Sequence, residues 1–115
     1  LFKDYFSSSI DIYSFSEILK RMIIQDLKGL YNVASQDVIS KADFIELLAQ
    51  SLGIPLNEPT YCSVNQQGFN MVKRANSLGL DVTKVQKDLS LLMPTSQQVI
   101  DNIIKVYNES KKLQY

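Results

Sequence analysis

The chain has 115 residues, with 12 Lys plus Arg against 12 Asp plus Glu, no His and one Cys. A chain of this length buries roughly two-thirds of its unfolded surface, enough for one domain over residues 1–115 with a core of its own. Balanced charge speaks against duplex nucleic acid, whose binders carry a basic stripe, and without His the side chains of a zinc site, a Cys-His pair or a Ser-His-Asp triad are missing.

Composition therefore points to a non-catalytic binding domain that needs no metal or cofactor. The opening Leu1-Phe2-Lys3-Asp4-Tyr5-Phe6 neither starts with Met nor follows a charged-then-apolar leader pattern, and reads as a fragment or a mature segment. The densest apolar run, Met22-Ile23-Ile24, is far too short for a membrane span. A lone Cys62 makes no internal disulfide, which suits the cytoplasm and a bacterial surface equally.

In chain order, Phe15, Ile18, Leu19, Met22, Ile23, Leu27 and Leu30 keep the three-and-four spacing of one helix face. Ser14 followed by Glu17 predicts a capping box at its start, with Tyr13 as the staple. Asn32 to Asp37 reads as a polar loop. Ser40 opens a second helix, with Asp43 in its first turn, Phe44, Leu47, Leu48 and Leu52 on one face, and Gly53 then Pro55 at its end. Pro55 to Asn65 is a connector. A third helix is expected from about Gln66 to Leu78, with Phe69, Val72, Ala75 and Leu78 inward and Gly79 as the stop. Asp81 caps a shorter fourth, carrying Val82, Val85, Leu89 and Leu92 and broken by Pro94. Thr95 or Ser96 caps a fifth, with Val99, Ile100, Ile103, Ile104 and Tyr107.

No alternating strand pattern of useful length is present. The expected fold is therefore all-α, a small bundle of about five helices. Its one core is expected to draw on Phe15, Ile18, Leu19, Ile23, Phe44, Leu48, Phe69, Val72, Ile100 and Ile103.

The chain also shows an internal echo. Phe15 and Phe69 are 54 positions apart, and Ser40 and Thr95 are 55 apart. In that register Ile18 meets Val72, Lys20 meets Arg74, and Leu48 meets Ile103. Two tandem helix-loop-helix units, approximately 1–57 and 58–115, account for this. The alternative, that any two amphipathic helices align this well, stays open.

The run Val38-Ile39-Ser40-Lys41-Ala42-Asp43-Phe44, continuing to Leu52-Gly53-Ile54, resembles the S-layer homology module. That family's signature is an Ile-Thr-Arg-Ala-Glu-Phe start and a helix ending in Leu-Gly. Ser40, Lys41 and Asp43 are conservative departures from it. Tyr61-Cys62-Ser63-Val64, Phe69 and Gly79-Leu80 are similar to the aromatic-x-Asp-Val turn and following helix of a next unit, without its Asp and Trp. Phe2-Lys3-Asp4 offers the same turn in the first unit. Pro94-Thr95-Ser96 keeps the Pro and Thr of the second start but has no cation where Arg belongs.

The resemblance implies a cell-surface module without catalytic activity that binds an anionic cell-wall polysaccharide. It places the ligand at Ser40, Lys41 and Asp43, where free amides at a helix start and a nearby cation favour an anion. The residues by themselves also fit a bland reading, in which Lys41 is a solvated side chain. They fit equally a helical protein-interaction domain, cytoplasmic or part of a larger chain, that takes a partner segment in an apolar groove. Cys62 reads as a small, partly buried residue. Asp37, Asp43 and Glu46 have no second carboxylate placed across a pocket, and Lys20-Arg21 and Lys73-Arg74 read as solvated faces.

Overall fold

The computed structural model describes residues 1–65 and 75–112, and in it the chain opens with a short strand, β1, Phe6–Ser7. Helix α1, Ile12–Ile24, follows, and its start lies three residues before the expected box. Asp11 is the cap: its Oδ1 accepts from the Tyr13 N–H at 3.1 Å and the Ser14 N–H at 2.9 Å, satisfying two donors that have no partner inside the helix. Ser14, expected to cap, lies inside the first turn and donates its hydroxyl to Asp11 Oδ2 at 2.6 Å.

Strand β2, Ile39–Ser40, runs straight into α2, Lys41–Leu52, so that Ser40 is at once the end of a strand and the cap of a helix. Gly53 ends α2 in the left-handed conformation, φ 66°, as its position after the last apolar residue predicts. Strand β3, Ser77–Leu78, precedes α3, Thr83–Leu89, and α4, Ser96–Lys112. The strands form one small mixed sheet in the order β2-β1-β3. In it Phe6 faces Ser40 antiparallel and Ser77 in parallel.

The all-α expectation is therefore wrong: the described residues hold four helices and a three-stranded sheet, not a bundle of about five helices. Each strand is two residues long, too short for alternation to show in the sequence, and their pairing joins segments more than thirty positions apart. Most of the third helix, with Phe69, Val72 and the Lys73-Arg74 doublet, falls outside the described residues. Its final part is overturned, since Ser77–Leu78 is a strand and the Phe6 N–H donates to the Asn76 carbonyl at 2.8 Å. Gly79 is no helix stop: a Cβ there would lie 2.4 Å from Val38 Cγ2, so only glycine allows this approach.

One core cluster joins Ile18 of α1, Ala34 of the loop, Val82, Val85 and Leu89 at α3, and Met93. Ile10, Met22, Leu27, Tyr31, Val33 and Leu91 pack around it. Burial of each such large side chain is worth about 1.5–3 kcal/mol. Buried Ala42 and Ala49 on α2, with Val99 and Ile100 on α4, mark where those two helices pack together.

Six residues of the expected core are corrected, four of them exposed and two half-buried. Phe15, Leu19 and Ile23 are exposed, at 36%, 43% and 69%, and so is Ile103. Ile18 and Met22 repeat at the same spacing as Phe15, Leu19 and Ile23, about 100° away around the helix, and the sequence favours neither stripe. The structure buries the Ile18–Met22 stripe against Ala34, Val82, Val85, Leu89 and Met93, and the Asp11 carboxylate at the start of α1 accepts from Asn102 on α4. Phe44 and Leu48 are only half-buried, and Leu92 of the fourth stripe is exposed while Met93 takes the inward place.

Candidate functional site

Lys41 is the first residue of α2, and its side chain is exposed. The backbone donors around it are already engaged. The Lys41 N–H donates to the Tyr5 carbonyl at 2.9 Å and the Ala42 N–H to the Phe2 carbonyl at 3.0 Å. The Asp43 N–H donates to Ser40 Oγ at 3.0 Å, and the Ser40 hydroxyl donates to Asp43 Oδ2 at 2.7 Å. Ser40 and Asp43 thus close a reciprocal side-chain cap, and the first segment of the chain covers the rest of the helix start. The expectation of free amides here is corrected: the Lys41 ammonium alone is left to meet a ligand.

Beside this start, the Tyr61 hydroxyl donates to Glu46 Oε1 at 2.5 Å, and the Lys3 ammonium lies 3.9 Å from the Tyr61 ring centre. The hydrogen bond to Glu46 pushes the Tyr61 hydroxyl above the usual phenol range, with burial and the charges of Glu46 and Asp43 acting the same way. The two turns picked out by resemblance also meet. Phe2 and Cys62 form a parallel bridge, the Cys62 N–H donates to the Leu1 carbonyl at 2.9 Å, and the half-buried Cys62 thiol reaches the same oxygen. The Asp4 carboxylate accepts from the Ser63 hydroxyl and from the Val64 N–H, which together hold it below the usual carboxylate range.

The start of α4, 55 positions later, has the same hydroxyl-to-amide bond and a different return bond, from the backbone N–H of the capping residue and not from its hydroxyl. Thr95 Oγ1 accepts from the Gln98 N–H at 3.2 Å, and Gln98 Oε1 accepts from the Thr95 N–H at 2.9 Å. Here the first amide, that of Ser96, donates to Asp37 Oδ1 at 2.7 Å. A carboxylate of the chain itself therefore occupies the seat that a helix start offers to an anion. Asp37 and Asp43, considered above as acidic candidates, are both engaged in helix caps. Among the described residues, no group of three or more His, Cys, Asp and Glu is placed to hold a metal ion, and no helix is long and apolar enough to cross a membrane.

A second feature had no counterpart among the expected sites. A cleft of about 670 Å³ lies between α1 and α4. Tyr13, Ser14, Glu17, Ile18 and Arg21 line it from α1, and Gln98, Asn102, Lys105, Val106 and Glu109 from α4, with Leu91, Leu92 and Pro94 at one end. Asn102 spans the two helices, its Nδ2 donating to Asp11 Oδ2 at 3.2 Å and to Ser14 Oγ at 3.1 Å. Arg21, read above as part of a solvated doublet, is a wall residue. The only local signals were two charge pairs spaced four residues apart, Glu17 with Arg21 and Lys105 with Glu109, and such pairs occur on ordinary solvated helices.

No family model, curated protein or solved structure matches the chain. The functional reading rests on the geometry of these two places and on the likeness of the Ser40 region to a known signature.

Proposed function

We propose that the chain is a non-catalytic cell-surface anchoring module of the S-layer homology type, holding an anionic cell-wall polysaccharide through Lys41. The observation that carries this reading is the pair of helix starts. α2 and α4 begin 55 residues apart with a hydroxyl cap on the amide three residues on, Ser40 on Asp43 and Thr95 on Gln98. Each cap is answered by a return bond to the side chain at that position, from the hydroxyl of Ser40 and from the backbone N–H of Thr95, and the two helices pack against each other. This supports two related units, and the first carries the conservative form of the family's signature at the residues that cap it. The contact with the ligand falls to the Lys41 ammonium as a charge-assisted hydrogen bond, since the amides are occupied.

Sedimentation with purified Gram-positive cell walls tests it. The chain is expected to co-sediment with intact walls, to lose that binding when the anionic polysaccharide is stripped off, and to lose most of it as Lys41→Ala. Ser96→Ala, at the equivalent place in the second unit, is expected to bind normally. Binding that is absent, or unchanged in Lys41→Ala, overturns the reading.

The α1–α4 cleft favours a second reading, a protein-interaction module, because its exposed apolar side chains and charges suit a polypeptide better than a sugar polymer.

A further inference from the structure

The cleft between α1 and α4 has the volume of a binding pocket, whose usual range is about 300–1,000 Å³. Two large apolar side chains on its wall stand open to water, Tyr13 at 57% exposure and Leu92 at 77%. Four charges share the lining: Glu17 and Arg21 one turn apart on α1, Lys105 and Glu109 one turn apart on α4. None of the four is ion-paired among the described residues, where the single ion pair joins Lys28 and Asp26. The walls are set before anything binds, because Asn102 of α4 holds both the cap and the first turn of α1. Ordering costs on association are accordingly low.

Charge decides what fits. The four groups sum to zero, so a polyanion that gains from Arg21 and Lys105 meets Glu17 and Glu109 on the same walls, and a polycation meets the converse. An occupant with one acidic and one basic group beside an apolar body pairs with both signs and covers Tyr13 and Leu92.

We propose that this cleft binds a segment of another polypeptide, one that presents an apolar side chain flanked by an acid and a base. The proposal deepens the protein-interaction reading. It does not depend on Lys41, which does not line the cleft.

The test pans the immobilised chain against a phage-displayed random peptide library, with the double charge reversal Arg21→Glu and Lys105→Glu as counter-selection. Enriched peptides are expected to carry an apolar residue with neighbours of both signs. A synthetic copy titrated by calorimetry is expected to bind the parent chain at least about tenfold more tightly than either single reversal. Leu92→Ser, at an exposed position, is expected to weaken it as well, while the far-ultraviolet circular dichroism of each variant matches the parent. Lys41→Ala is expected to bind the peptide unchanged, which separates this result from cell-wall binding. Failure to enrich any peptide over the counter-selection overturns the proposal, as do peptides that bind the reversed chain equally well. Displacement of the peptide by excess cell-wall polysaccharide also overturns it, by showing that the cleft takes the polyanion.

Discussion

Replacing Asp11 by alanine tests the most connected side chain of the fold. Its carboxylate accepts from two backbone amides, from the Ser14 hydroxyl and from Asn102, and so caps α1 and ties α1 to α4. Losing the cap alone costs about 1 kcal/mol, and hydrogen bonds to an ionised group are worth about 1.5–3 kcal/mol each while their partners stay dry. Ser14 and Asn102 line the cleft, where water replaces the lost acceptor, so the total expected for Asp11→Ala is about 2 kcal/mol. The loss has a definite pH dependence. Burial pushes the Asp11 carboxyl up, but the bonds from Ser14, Asn102 and Tyr13 outweigh it and leave the carboxyl below its ordinary value. A group lowered in the folded state stabilises fully above its unfolded pKa of about 3.9. That stabilisation disappears as pH falls through the folded value. Urea unfolding followed by circular dichroism should therefore show a gap between parent and Asp11→Ala that is wide at pH 7 and narrows below about pH 4. A gap under about 0.5 kcal/mol at neutral pH, or one of equal size in acid, refutes the assignment of Asp11 as an ionised cap.

Gly79→Ala should destabilise by about 1–2 kcal/mol through overlap with Val38, and the double variant with Val38→Ala should recover most of it. Both are read from urea midpoints, and no recovery would mean the strain lies elsewhere. Ile100→Ala, at a fully buried position of α4, should cost about 2–5 kcal/mol, whereas Ile23→Ala on the exposed stripe should stay within about 0.5 kcal/mol. A cost of about 2 kcal/mol or more for Ile23→Ala would restore the inward place that periodicity gave that residue. Asp37→Ala removes the acceptor of the Ser96 amide and a negative charge at a helix start, and should lower stability by about 1 kcal/mol, an effect of the size that thermal melting resolves.

The ends of the second helix were legible almost to the residue, though not its inward face, which is Ala42 and Ala49. Ser40, Asp43 and Gly53 act over a few neighbouring positions, and their chemistry has one local solution: a hydroxyl and a carboxylate that cap each other, and a glycine that turns left-handed. The first helix had two local solutions. Ser14 with Glu17 is the start its sequence suggests, whereas Asp11 caps it, and of its two apolar stripes the one buried is chosen by packing against residues as distant as Val82, Val85 and Leu89. Ser77 and Leu78 carry no local sign of being a strand, because their partner is the Phe6–Ser7 backbone. The same holds for the two candidate places. Lys41 was found through a run of consecutive residues, while the cleft exists only after α1 and α4 meet.

The two helix starts differ in what meets their first amides. At α2 the first amides are covered by neutral carbonyls of Phe2 and Tyr5, which leaves the local charge to Lys41 and the capping Asp43. At α4 the first amide holds the carboxylate of Asp37, and position 96 is a buried serine. Any external anion at the second start must displace an internal one that is already tethered, and no side-chain cation stands at position 96 to compensate. The asymmetry follows from Lys41 against Ser96 and a carbonyl against Asp37, at two starts that share a hydroxyl cap on the amide three residues on. On the proposed reading, only the first start is left to meet an external anion, through the Lys41 ammonium, while at the second the Asp37 carboxylate ties the loop before α2 to α4.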